Sequence, residues 1–282
     1  MRNRFWSPVT AVTMAAMALS LAAVPAAGQA AATSAKNWTP PRTVDGQPNF
    51  QGYWRQLGDL TTYSLQAGES DRAEHIRVSG QSPNKGRAIV DPPDGKIPYQ
   101  PWAAAKAAML HEQHRKPSKV EYLDPTSRGF LEGVPRINIM GSFRVIQTPG
   151  MVVILHEYGH HYRVIPLDKR PHIGENIKLW MGDSRGRWEG NTLVVDVTNH
   201  NEHTWFDIVG SFHSDQLHVV ERWTLVGADR LEYEVTIEDP KVFARPWKMR
   251  WPVGRLEDEE QWESATWEGN RTTEHVMGEG AR

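Results

Sequence analysis

The stretch Met151-Val152-Val153-Ile154-Leu155-His156-Glu157-Tyr158-Gly159-His160-His161-Tyr162-Arg163-Val164-Ile165-Pro166-Leu167-Asp168 decides how this chain is read. Within it, His156-Glu157-Tyr158-Gly159-His160 spells H-E-x-x-H, the zinc-protease pattern. That pattern works only on a helix, where residues four apart share a face and can hold one metal. The flanks argue against a helix, because Val152–Leu155 and Tyr162–Ile165 are β-formers and Gly159 falls between the histidines. A hairpin turning at Gly159-His160 fits better, since glycine at the first central position suits a type II′ turn. On that pairing Tyr158 faces His161, His156 faces Arg163 and Ile154 faces Ile165.

The period of two established here continues along the chain. Strands are predicted near 143–148, 151–158, 161–167, 185–189, 192–199, 215–226, 230–238 and 244–253. Tight-turn signals fall at Pro149-Gly150, Gly159-His160, Gly190-Asn191 and Gly227-Ala228-Asp229. The fold class is therefore mainly β, an antiparallel meander closed as a lipocalin-like barrel over 143–253. No helices alternate with the strands, which argues against a parallel α/β sheet.

The hairpin 215–238 has the best-defined register. A three-residue loop at Gly227–Asp229 pairs Leu225 with Leu231, Trp223 with Tyr233 and Val219 with Ile237 on an apolar face. The other face then carries Arg222 opposite Glu234 and His218 opposite Glu238, and a slip of one residue would bury those charges. Glu221 breaks the pattern, because it lies on the apolar face opposite Val235. A carboxylate there must be neutral, paired or hydrogen-bonded. Glu221 is thus a candidate acid/base group with a raised pKa, or half of a structural ion pair with an interior arginine such as Arg163.

Around the barrel, 31–142 is rich in Pro, Gly, Asn and Gln and reads as an irregular arm with one helix at 102–115, bracketed by Pro101 and Pro117. Residues 254–282 form an acidic tail expected to pack loosely apart from Trp262 and Trp267. Residues 1–30 read as a signal peptide: Arg2 and Arg4, the apolar run Val9–Val24, then Pro25 and small residues at Gly28 and Ala30. The protein is expected to be exported, to a periplasm or beyond. It has no cysteine, which excludes disulfides and thiol chemistry. The net charge is −2, and no basic run points to nucleic acid. No second apolar run suggests a membrane span. The composition is silent on oligomeric state. Twelve tryptophans serve either as core filler or as a pocket for aromatic or sugar rings.

In a simple meander the turns at 159–160, 190–191 and 227–229 close one end, and the connections 168–186, 200–214 and 239–243 open at the other. Long loops over a rigid barrel are where binding and catalysis concentrate. The site is therefore expected at that mouth. Its candidate acid/base groups are His213, Asp215, His203 and Glu221, with His213 forming a dyad with Asp215 or His203. Trp180, Trp205, Trp223 and Arg170 would bound the substrate, with Tyr158 and Arg163 at the floor if that face of the 151–167 hairpin points inward; both faces are partly apolar, so the alternation leaves this open. Eight of the twelve histidines fall between 156 and 218. A His-ligated metal is accordingly the rival to a cofactor-free site, although no His-x-His pair sits in a predicted strand.

The segments Gly186-Arg187-Trp188-Glu189-Gly190-Asn191-Thr192-Leu193-Val194-Val195 and Val235-Thr236-Ile237-Glu238-Asp239-Pro240, with His213-Ser214 and Arg245-Pro246-Trp247, resemble a large family of exported bacterial proteins. Asp45-Gly46-Gln47-Pro48-Asn49-Phe50-Gln51-Gly52-Tyr53-Trp54 and Gly133-Val134-Pro135-Arg136 are similar to its N-terminal pattern. The resemblance implies export and a calycin-like barrel, and no one activity. The family pattern often has a cysteine near Glu268-Gly269-Asn270, where this chain has Thr266. It usually lacks histidine at position 156 and has an aromatic at Tyr158 and a base at Arg163. Two functional expectations remain: an acid/base lyase, isomerase or hydrolase acting on a small polar or aromatic compound, or a carrier that only binds its ligand.

Overall fold

The computed structural model describes residues 38–58, 60, 62–66, 88–265 and 268–277. The signal-peptide expectation for 1–30, Thr266 and Trp267 lie outside the described residues. The strands are β1 Gly52–Gln56, β2 Ile89–Asp91, β3 Ser142–Thr148, β4 Met151–His156, β5 Tyr162–Pro166, β6 Asp183–Glu189, β7 Thr192–Thr198, β8 His218–Gly227, β9 Arg230–Glu238 and β10 Trp247–Leu256. Two helices accompany them, α1 Pro101–Gln113 and a short α2 Thr272–Met277. All strand pairs are antiparallel, and the order β5-β4-β3-β1-β10-β9-β8-β7-β6 curls into a nearly closed barrel. No helix among the described residues is long and apolar enough to cross a membrane.

The β8–β9 register is the one the alternation dictates, with Leu225 opposite Leu231, Trp223 opposite Tyr233 and Glu221 opposite Val235. Every second residue of these strands is buried, while Arg222 and Glu234 face out. Inward-facing rings fill the interior. Trp54, Phe143, Trp223, Tyr233, Trp247 and Trp251 are each no more than 2% exposed. Trp54, Trp223, Trp247 and Trp251 therefore serve the core.

Three expectations about the barrel need correction. The first concerns the arm: Gly52–Gln56 is not irregular but is the strand joining β3 to β10. Tyr53 and Trp54 are both buried, so the segment lacks the alternation that marks a strand. Strand β10 also runs on to Leu256, because Val253–Leu256 pair with β1.

The second correction is the turn between β4 and β5. Ile154 pairs with Arg163 and Leu155 with Tyr162, two residues from the expected register. Glu157–His160 form the loop, with a 3₁₀ turn at Tyr158–His160 and left-handed φ of 65° at Gly159 and 55° at His160. A shift of two leaves the same side chains sharing a face, and the structure turns the face of Ile154, His156 and Arg163 inward, a choice the alternation left open.

The third correction follows from β1. With β1 inserted, the path has nine strands, and its two ends, β5 and β6, run in the same direction. They are not joined by a ladder. Instead side chains close the seam: a Cβ at Gly186 would lie 2.7 Å from both Ile165 and Leu167, so only glycine allows this approach. Segment 167–182 must then run the height of the barrel, and the 157–160 turn falls at the same end as loops 199–217 and 239–246. The H-E-x-x-H histidines sit at the mouth, not at the closed end.

The arm covers that mouth. Residues Arg136–Ile139 form a fully buried 3₁₀ turn. It is anchored by a two-pronged pair in which Arg136 donates to both oxygens of Asp124 at 2.8 Å. The tail is looser, and Trp262 is 72% exposed, contrary to its expected packing.

Candidate functional site

Glu221 is completely buried, and both of its oxygens are engaged. Arg163 donates to them at 3.1 and 2.5 Å, while Asn138 and Tyr233 each donate to one at 2.9 Å. Arg163 also donates to Ser184 Oγ at 3.1 Å, so one guanidinium ties β5 to β6 and to β8. Burial alone would lower the Arg163 pKa, but the attraction of Glu221 and its hydrogen bonds raise it above the ordinary value. Burial and the Glu221 charge push the Tyr233 hydroxyl well above its usual range. Of the two readings of Glu221, the geometry selects the structural ion pair. Glu221 and Arg163 are not placed to meet a ligand at the mouth.

The mouth itself holds a cleft of about 540 Å³ between the arm and the loops. Four expected residues line it together: Trp180, His203, Trp205 and His213. The local sequence explains why they converge. Asn199 adopts a left-handed φ of 59°, and its side-chain amide donates to the carbonyls of Gly174 at 2.9 Å and Ile177 at 3.0 Å. Backbone bonds from Leu179 to Asn199 and from Asn201 to Leu179 then fix Trp180 beside the loop. On the far side of that loop, Asp207 accepts from the Ser211 backbone at 2.8 Å and hydroxyl at 2.7 Å, closing the tight bend after Trp205 and Phe206.

His213 is 2% exposed. Its Nδ1 lies 2.9 Å from the Ser214 carbonyl, which can only accept, so Nδ1 carries the proton. Its Nε2 lies 2.6 Å from the Thr204 hydroxyl and is the acceptor. Burial lowers the His213 pKa, which favours this neutral tautomer. Ser214 is held in turn by Asp239, through its backbone N–H at 2.6 Å and its hydroxyl at 2.9 Å.

The expected dyad is therefore replaced. Asp215 points outward to Lys241 at 2.7 Å, and that hydrogen bond lowers its pKa. His203 lies against Trp180, with ring centroids 5.7 Å apart and planes tilted by 44°, rather than bonding His213. Arg170 is exposed and paired with Asp168, outside the cleft. Trp223 packs in the core, 4.3 Å from the Tyr233 ring centroid. Tyr158 is half-buried in the turn, its pKa raised by burial and then by Glu132.

The arm supplies the half of the cleft that the sequence reading missed: Lys106, Leu110, Glu121, Tyr122, Arg128 and Phe130. Phe130 stacks on Trp180 with centroids 5.0 Å apart and planes 7° apart. The Arg128 guanidinium lies 5.2 Å from the Phe130 centroid. No periodicity marks these residues. The one sequence signal is the run Arg128-Gly129-Phe130, a charge and a ring bracketing a left-handed glycine. A larger cavity of about 690 Å³ lies against α1, lined by Ala104, Ala107 and Ala108 with Tyr99, His111 and Glu112, and it holds none of the residues expected at the mouth.

His156, His160 and His161 line one surface pocket at the β4–β5 turn without forming a ligand set. His160 Nε2 accepts from the Ser264 N–H at 3.0 Å, and His161 Nδ1 lies 2.7 Å from Glu132. Among the described residues, no group of three or more His, Asp or Glu is arranged to hold a metal ion. His172 instead bridges Asp183 at 2.7 Å and Asp196 at 2.9 Å, and His218 lies 3.0 Å from Asp196.

Two buried histidines make acid stability a measurable property. His156 and His200 are at most 1% exposed and neither ring nitrogen of either has a partner. Burial, and then Arg163 beside His156 and His213 beside His200, lowers both pKa values well below 6.5. The folded state holds them neutral while the unfolded state protonates them below 6.5. Their contribution is therefore present above that pH and lost as pH falls. His218 acts oppositely: Asp196 raises its pKa, so its contribution is full below 6.5 and fades as pH rises. Urea unfolding between pH 6.5 and about pH 5 should show stability falling by up to about 1.4 kcal/mol per pH unit for each buried imidazole. His200→Gln should flatten that slope by one imidazole. An unchanged slope would show that His200 is already charged in the fold.

No protein-family model, no curated protein and no solved structure matches the chain.

Proposed function

We propose that the protein is an exported small-molecule enzyme whose substrate sits in the mouth cleft and exchanges a proton with His213. Export is motivated by the N-terminal Arg2, Arg4 and Val9–Val24 pattern and by the family resemblance of the Gly186–Val195 and Val235–Pro240 segments. One observation carries the chemistry. His213 is a buried neutral imidazole whose tautomer is fixed by Ser214, and it lines a cleft walled by Phe130, Trp180 and Trp205. A base held in one tautomer beside an aromatic wall is suited to proton transfer on a bound ring compound. Thr204 donates to Nε2, and a substrate proton would replace it there. It is not itself a nucleophile candidate, because its hydroxyl is packed where a Gly133 side chain would be, 2.5 Å from the Cβ position.

The reaction class is lyase, isomerase or hydrolase. The second reading, a carrier, is favoured by the commitment of Glu221 to Arg163, which takes that carboxylate out of any proton transfer. A thermal-shift screen of small polar and aromatic compounds, followed by NMR of each stabilising compound over time, separates them. The enzyme reading expects wild type to convert a bound compound, and His213→Gln to bind it but convert it about 100-fold more slowly or worse. Binding without conversion by wild type supports the carrier. Stoichiometric iron, copper or zinc in the purified protein would overturn the cofactor-free form of both.

A further inference from the structure

The cleft contains an unmatched positive charge. Arg128 lines it, and among the described residues its guanidinium forms no ion pair. Its Nε is buried with no acceptor. Two carboxylates lie four residues away: Asp124 gives one oxygen to each terminal nitrogen of Arg136, and Glu132 lies 2.7 Å from His161 Nδ1. Burial lowers the Arg128 pKa, against the attraction of Asp124 and Glu121, so the charge is partly stripped of water without being neutralised. Lys106 adds a second cation, its Nζ 4.1 Å from the Phe212 ring centroid. The two acids of the lining, Glu121 and Glu202, are exposed and solvated. A solvated acid needs no partner, whereas a half-buried guanidinium with an orphaned N–H gains from one.

Beside that cation lies a flat apolar wall. Phe130 and Trp180 are stacked, and Trp205 is 7% exposed at the base. We infer that the cleft takes an aromatic monocarboxylate, its carboxylate on Arg128 and its ring against Trp180 and Trp205. The geometry of a guanidinium fork matches a planar carboxylate. A phosphate dianion is disfavoured by Glu121 and Glu202 at the rim. This inference rests on the mouth cleft being the ligand site and adds the ligand's class.

Calorimetric titration of the full chain with benzoate and 2-naphthoate, against benzyl alcohol, benzylamine and inorganic phosphate, tests it. Benzoate should bind at least tenfold more tightly than benzyl alcohol. Arg128→Gln should abolish that preference without changing Tm, and Arg128→Lys should restore part of it. Trp180→Ala should weaken benzoate and benzyl alcohol alike. Preference for benzylamine, or benzoate binding unaffected by Arg128→Gln, overturns the inference and leaves the cleft as a ligand site. Phosphate competing as well as benzoate overturns the aromatic half. If none of the ring compounds binds, the cleft reading itself fails.

Discussion

Arg163→Met is expected to destabilise the barrel by about 3–5 kcal/mol, since it leaves the Glu221 carboxylate buried and unpaired. Glu221 would retain only the Asn138 and Tyr233 donors. The double variant Arg163→Met/Glu221→Gln should recover most of the loss, because the uncompensated charge, not the missing attraction, dominates the cost. Denaturant unfolding of the two single variants and the double gives the coupling directly. Amide exchange adds a spatial readout. Arg163 also reaches Ser184 across the ladder-free seam, so exchange should rise first in β5 and β6. A loss below about 1 kcal/mol for Arg163→Met would mean that water reaches Glu221 and that it is not sealed in the barrel.

Asp124→Ala is the second large effect, again about 3–5 kcal/mol, with Arg136 now the stranded charge. Arg136 is 2% exposed and its other contacts are carbonyls of Trp205 and Asp207 at 3.5 Å. Here stability and function are linked. The 124–139 segment carries Arg128 and Phe130 of the cleft wall and Asn138 of the interior pair. Loss of the anchor should therefore weaken any ligand in the mouth cleft by more than tenfold, measured at a temperature where the variant remains folded. A variant that loses stability but keeps ligand affinity would show that the arm and cleft are independent of this pair.

How much of this was legible in the sequence depends on the range of the interactions involved. Strands β4, β5, β8 and β9 announce themselves because each buries alternate residues, and the charges flanking Glu221 fix the β8–β9 register from sequence alone. Strand β1 does not, since Tyr53 and Trp54 are buried on both faces within a turn-rich stretch. Missing it reversed the placement of the 157–160 turn, because one extra strand changes the direction of the barrel's last edge. The cleft was half legible. Trp180, His203, Trp205 and His213 follow from loop length at the mouth. Lys106, Arg128 and Phe130 are brought there by the Asp124–Arg136 pair and by α1 docking at Lys241 and Val242, which no local pattern encodes. His213 lines the cleft, but its imidazole is oriented by the Ser214 carbonyl and not by Asp215 or His203, because a backbone carbonyl can hold an imidazole as well as an aspartate can.

Strand β1 also sets a condition on how the chain reaches its native state. Tyr53 must find Leu256, while its other edge meets Arg144. The first barrel strand to be synthesised thus cannot be paired on both sides until nearly the last has appeared. Whether the chain leaves a ribosome or threads through a membrane pore, the hairpins β3–β5 and β6–β10 can form early as separate local sheets. They become one barrel only when β1 slots between them. Folding should accordingly be slow and governed by this single long-range closure, with a waiting state that exposes two unsatisfied edges. A factor that shields β3 and β10 during that interval would determine yield, while the stability of the finished protein would not.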